Sequence, residues 1–220
     1  LLSGGDRTEF RRMAAAYFMV RKGKWLIGVA ISVAAVTALI GEMTASLPAA
    51  DASGGGDIPM WRMLGMSSAL LAVSTLNQPL GELEDAAGQA WHRVRGLVLA
   101  AVFLGSSLLF LAGAWIAAGS EIVPLVARAQ FGWLGIALLS GRILGQRLAW
   151  AGPCLFLAIA IYWGYATDSG PRWWEFTALP PGNSAGAFTA FGIFAAGVAA
   201  FIATPWRTKR LRSLLFFRSW

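Results

Sequence analysis

The chain has one cysteine and one histidine in 220 residues, and this closes off several kinds of chemistry. A single thiol forms no disulfide within the chain, and one His with one Cys supplies no zinc, haem or iron–sulfur ligand set. Charge is scarce too: 13% of residues are Asp, Glu, Lys or Arg, against about 25% in an ordinary soluble domain. There is no G-x-x-x-x-G-K-[ST] run. Gly23-Lys24 lacks the upstream glycine and leads straight into an apolar stretch, so ATP hydrolysis by this chain alone is not expected. G-x-S-x-G and H-E-x-x-H are also absent, and no two closely spaced aspartates fall inside an apolar run. The chain reads as a non-catalytic subunit with no cofactor and no metal.

What is abundant is apolar length. Hydrophobic residues make up 57% of the chain and mean hydropathy is +0.60. A membrane helix needs about 20 mostly apolar residues, and six stretches qualify: 25–45, 60–78, 96–119, 127–144, 148–167 and 186–206. The expected fold is all-α, a polytopic membrane protein with six transmembrane helices. An N-terminal segment (1–24), a membrane domain (25–206) and a basic tail (207–220) divide the chain. It begins at Leu1 rather than Met, which points to residues preceding it.

Net charge is +7, carried by Lys and Arg in a few clusters. With both ends placed on one side, that side collects the basic N-terminal segment, Arg93, Arg95, Arg142, Arg147 and the tail from Arg207 to Arg218. Only Arg62, Arg128 and Arg172 fall on the other side. The positive-inside rule makes the first side cytoplasmic. Basicity is thus an orientation signal, not a nucleic-acid footprint. Trp25, Trp61, Trp150, Trp163, Trp173, Trp174 and Trp206 fall near span ends, where indoles anchor at the interface.

Two segments on the cytoplasmic side have helical patterning. Phe10, Met13, Ala14, Tyr17 and Phe18 recur at helical spacing beside Arg11, Arg12, Arg21 and Lys22, the pattern of an amphipathic interfacial helix. In residues 81–95, Leu83, Ala87, Ala90, Trp91 and Val94 share one face. Acids (Glu82, Glu84, Asp85) stand at the start and bases (Arg93, Arg95) at the end, which suits a helix dipole. A short helix lying on the membrane with an acidic patch is expected here, a docking surface built from Glu82, Leu83, Glu84, Asp85, Trp91 and Arg93. On the other side, residues 47–59 form a Gly-rich, weakly acidic linker. Residues 168–185 carry the cluster Arg172-Trp173-Trp174-Glu175-Phe176, expected either to anchor in lipid or to dip in as a short re-entrant helix.

Ionisable groups inside a membrane mark function because they are costly to bury. Glu42, Arg62 and Arg128 all lie near span ends on the non-cytoplasmic side, and Glu42 and Arg62 are candidates for an ion pair across the first hairpin. No carboxylate falls at mid-span. Ser67, Ser68, Ser74, Thr75, Asn77 and Gln78 give the second stretch a polar face, and Ser106 and Ser107 mark the third. Ser74, Asn77 and Ser106 are the candidate pathway residues. Ala- and Gly-rich runs suit close helix packing, and Cys154 reads as a small buried hydrophobe.

The order of these parts resembles the membrane subunits of type-2 ABC exporters. The matching pieces are residues 11–21 for that family's connecting helix, 81–95 for its coupling helix and 172–185 for its re-entrant helices. The Gly81-Glu82-Leu83-Glu84 run is similar to the acidic stretch of its second-to-third-span loop. The short fourth stretch, almost fused to the fifth, departs from the pattern. The resemblance implies a permease subunit that pairs with a second permease subunit, homo- or heterodimeric, and binds cytoplasmic ATPase subunits. Its place would be a bacterial plasma membrane, with both termini cytoplasmic. Two other readings stand beside it: an accessory structural subunit of a larger membrane complex, and the substrate-binding subunit of an energy-coupling vitamin importer.

Overall fold

A computed structural model describes residues 23–46, 57–76, 88–166 and 170–203. Four of its helices are long and apolar enough to cross a membrane: α1 (Gly23–Ile40), α4 (Gly88–Ala118), α5 (Val123–Leu144) and α7 (Ser184–Ala203). At about 1.5 Å per residue, the 18 residues of α1 rise about 27 Å, close to the hydrocarbon thickness. The side chains turned away from the bundle are apolar as well, with Leu39 82%, Phe188 80% and Ile202 74% exposed. Helices that are apolar all round and exposed on one side have the composition of membrane-spanning helices.

Four helices of spanning length replace the six expected. The second stretch is two short helices, α2 (Met60–Leu64) and α3 (Ser67–Ser74), interrupted at Gly65-Met66. Gly and Ser are weak helix formers, and this stretch places Gly65, Ser67 and Ser68 within four residues. The fifth stretch is α6 (Ala151–Trp163), whose 13 residues rise only about 20 Å. It stops where Gly164 leads into a two-residue hairpin, β3 (Tyr165–Ala166) with β4 (Gly170–Pro171). A second small hairpin pairs β1 (Thr44–Ser46) with β2 (Asp57–Pro59), so the last residues of the expected linker are strand.

The fourth stretch is longer than its hydropathy suggested. α5 begins at Val123, with Pro124 in its first turn, and ends at Gly145, whose φ of 91° is open to glycine. The third stretch is extended too: α4 is one helix from Gly88, with no proline to stop it. Residues 88–95 are therefore the first turns of a spanning helix and not a separate helix on the membrane surface.

Close approaches fix the helix order. A Cβ at Gly113 would lie 2.4 Å from the Ala34 carbonyl, and one at Gly41 would lie 2.9 Å from Ala117. These two contacts advance together along both chains, so α1 and α4 are parallel. A Cβ at Gly135 would stand 2.6 Å from the Ile193 and Phe194 backbone, and Arg128 lies against Gly186, so α5 and α7 are parallel as well. Between α1 and α4 the chain returns. The Trp61 amide bonds the Gly41 carbonyl at one end. At the other end Gln146, with its amide nitrogen facing the Leu76 carbonyl, accepts from Arg95. α5 is the central helix. Its Ala129, Trp133, Leu134, Ala137 and Leu138 form the main core with α3, α4 and Phe176.

Candidate functional site

The arginines at the ends of two apolar runs meet the same segment, residues 170–183, at the end of the bundle that carries both hairpins. Arg62, on the short helix α2, reaches inward. Its Nη2 lies 3.0 Å from Glu175 Oε1, and the two side chains are 4% and 0% exposed. Arg62 Nε donates to Thr177 Oγ1 at 2.8 Å. Thr177 donates in turn to Glu175 Oε1 through its amide at 3.2 Å and through its hydroxyl. One carboxylate oxygen thus collects an arginine, an amide and a hydroxyl. The other, Oε2, is buried with no hydrogen-bond partner. It lies so close to α6 that a Cβ at Gly164 would be 2.8 Å away.

Arg128, on α5, holds the same segment by its backbone. Nη1 donates to the Pro180 carbonyl at 3.0 Å and the Asn183 carbonyl at 3.5 Å. Nη2 donates to the Phe176 carbonyl at 2.9 Å and to that of Leu179. Irregular backbone in an apolar surrounding must have its carbonyls satisfied, and a planar guanidinium with five donors can serve several at once. Asn183 then starts α7, its Oδ1 accepting from the Gly186 amide at 3.0 Å.

Between the arginines the segment inserts an aromatic wedge. Phe176 is fully buried, and its ring occupies the space that a Cβ at Gly132 would need, with contacts as short as 2.4 Å. It stacks on Phe156 (5.2 Å, 23°) and meets Trp133 edge-on (5.6 Å, 69°). Segment 172–183 is built of turns, not of a re-entrant helix. Of its aromatic cluster, Trp173 is 71% exposed, in keeping with an interfacial anchor, but Glu175 and Phe176 belong to the interior. Trp61, expected at the interface, is buried against Phe110 and Ala114.

Placement of the other expected residues is mixed. Arg62 is joined to Glu175, whereas Glu42 is exposed; Glu42 lies on the loop side of α1, while Arg62 turns toward the core. Ser106 is buried and donates to the Ser68 carbonyl at 3.5 Å, which brings the polar parts of the second and third stretches together. Ser74 is exposed and donates to the Leu71 carbonyl at 2.7 Å, so it does not join Ser106. Arg93 is exposed on α4, and Trp91 falls within the same helix. Asn77, Glu82, Leu83, Glu84 and Asp85 lie outside the described residues, as do the N-terminal amphipathic segment and the tail.

Glu175, Thr177 and Arg128 were not singled out together by sequence reasoning. The available signal was the pair of arginines at the ends of apolar runs on one side, each needing an acceptor. Nothing in the spacing distinguishes Glu175 from the five other acids on that side. Among the described residues, no group of three His, Cys, Asp or Glu is placed to hold a metal ion. Comparisons with protein-family models, curated proteins and solved structures find no match to the chain.

Proposed function

We propose that the chain is a permease subunit of an ATP-driven exporter, coupled to separate ATPase subunits and paired with a second permease subunit. The observation that carries this reading is the irregular segment 170–183, drawn into one end of the bundle by Arg62 and Arg128. A segment of this kind, following a short helix and preceding the last long one, stands where the resemblance to type-2 ABC exporters puts a re-entrant element. A protein that only anchors in lipid has no need to bury a glutamate there, and intramembrane charge is characteristic of pathways and gates.

In this reading the chain makes six passes, four by the long helices and two by shorter elements. The α2–α3 stretch runs from the Gly41 end to the Gln146 end beside α1. α6 runs from Ser140, whose hydroxyl accepts from the Gly152 amide, back to Glu175. Short and interrupted passes are tolerated where protein rather than lipid surrounds them. The Gln146 end, with Arg93, Arg95, Arg142 and Arg147, faces the cytoplasm by the positive-inside rule. Both termini then lie inside, in a bacterial plasma membrane. The acidic run Glu82, Glu84, Asp85 would present itself to an ATPase subunit at that face.

Purification of the tagged chain from its native membrane in a mild detergent tests the reading. An ATPase should accompany it in stoichiometric amount, and the triple change Glu82→Ala, Glu84→Ala, Asp85→Ala should reduce that recovery several-fold. Recovery of the intact chain without any ATPase, or within an assembly that contains none, overturns it.

A further inference from the structure

A second polar group lies deeper in the bundle, on the far side of the Phe176 wedge from Glu175, with Trp133 edge-on to that wedge. Gln130 on α5 is 1% exposed and Trp133, one turn further along, is fully buried. Both amide atoms of Gln130 and the indole Nε1 of Trp133 have no hydrogen-bond partner within the protein, and the same is true of the Ser107 hydroxyl on α4, which is 7% exposed. Four polar atoms of three buried side chains are far more than apolar packing tolerates without compensation.

The helix register places them together. α4 and α5 are antiparallel, with Phe103 against Phe131 at 5.9 Å and Phe110 in one cluster with Leu125 and Val126. Ser107 falls between Phe103 and Phe110, and Gln130 between Val126 and Phe131, so the two stand within about one turn of each other on neighbouring helices. Trp133 turns its nitrogen toward the interrupted pass: a Cβ at Gly65 would lie 3.4 Å from Nε1. Beside it, Ser106 reaches the Ser68 carbonyl, and the buried Ser67 hydroxyl opens α3 without a partner of its own. The α2–α3 interruption therefore lies against the indole N–H, with the Gln130 amide and the Ser107 hydroxyl within about a turn of it along α5 and α4, while Arg62, three residues before Gly65, turns its charge to Glu175.

We propose that this is a binding site for water between the Gly65-Met66 interruption, α4 and α5. The chemistry selects a small neutral molecule that both donates and accepts. The indole only donates, the Gln130 amide does both, and a hydroxyl does either. A buried water makes about three hydrogen bonds, which these groups supply. An ion is less well matched, because the set presents donors and acceptors in comparable number and no formal charge. The interruption of the helix is what gives the site a polar side on the α2–α3 pass.

Hydroxyl-radical footprinting by X-ray radiolysis of the unmodified protein in detergent tests the site, since radicals formed from a bound water oxidise the side chains that hold it. Corrected for intrinsic reactivity, Trp133 should be oxidised several-fold faster than Phe110, which is equally buried but lies in an apolar cluster. In Gln130→Leu the Trp133 rate should fall to the level of Phe110, while Phe110 itself stays as protected as in the unmodified protein and so reports an intact fold. Gln130→Met serves if the leucine variant does not fold. The proposal is overturned if Trp133 in the unmodified protein reacts no faster than Phe110. It is also overturned if removal of the amide leaves the Trp133 rate unchanged.

Discussion

Arg62 and Glu175 form a buried ion pair, 3.0 Å between Nη2 and Oε1, in which Thr177 is hydrogen-bonded to both partners. Removing one partner of such a pair leaves a buried charge uncompensated, which costs about 3–5 kcal/mol, whereas replacing both by apolar groups is often close to neutral. Arg62→Met should therefore lower the unfolding midpoint in detergent sharply. The double variant Arg62→Met, Glu175→Leu should recover most of the loss. A double variant as unstable as the single one would show that the pair is not the source of the effect.

Arg128 makes a different prediction because its partners are backbone carbonyls. Hydrogen bonds to charged groups contribute about 1.5–3 kcal/mol each, and loss of even one raises the open fraction of the segment about tenfold. Arg128→Ala should accelerate tryptic cleavage after Arg172, which is exposed on this segment, by at least that factor. Arg128→Lys should fall between the two, since an ammonium lacks the planar fork. Timed proteolysis followed by mass spectrometry measures all three.

Glycines divide into two kinds with opposite expected responses. Gly135→Ala forces a methyl to within 2.6 Å of the α7 backbone, and Gly197→Ala meets the Gly135 carbonyl at the same distance. Overpacking of this kind costs about 1–3 kcal/mol. Nothing lies within 4 Å of a Cβ at Gly28 or Gly105, and an open helical glycine changed to alanine gains up to about 1 kcal/mol. Thermal unfolding of the four variants should separate them by sign.

Leu104 is 55% exposed in the middle of α4, on the side that lipid covers. Leu104→Arg should reduce membrane integration of that helix by about 2.5–3.5 kcal/mol, read as the fraction of newly made chain that resists carbonate extraction. Ser74→Arg, at an exposed position near the end of α3, should have a much smaller effect.

The sequence made the long helices legible because uninterrupted apolar length is a strong local signal. α1, α4 and α7 appear within a few residues of their hydropathy limits, apart from the N-terminal extension of α4. The failures have physical causes. Residues 60–78 are as apolar as a span, but window hydropathy does not register two residues that tighten a helix at Gly65-Met66. Residues 148–167 lose their last turn after Gly164 to a short hairpin, Tyr165–Ala166 with Gly170–Pro171, a feature that window hydropathy does not register. The arginine-held site was half visible: Arg62 and Arg128 stood out as charges at the ends of apolar runs, while the choice of Glu175 over Glu42 depends on a fold that carries segment 170–183 inward. Gln130 passed unnoticed because it is uncharged, and one amide inside an apolar run barely lowers its hydropathy.

The parallel arrangement of α1 and α4 has a consequence for how the molecule is made. Two parallel neighbours cannot be consecutive passes, so an intervening stretch must travel back before they can touch. That stretch is the interrupted α2–α3 segment, whose Ala69, Ala72, Val73 and Leu76 are buried against other helices. Its covering surfaces, α4 and α5, are synthesised after it. The α2–α3 segment is therefore made before its cover, and inside an apolar medium its polar positions would stay unsheltered until the later helices arrive.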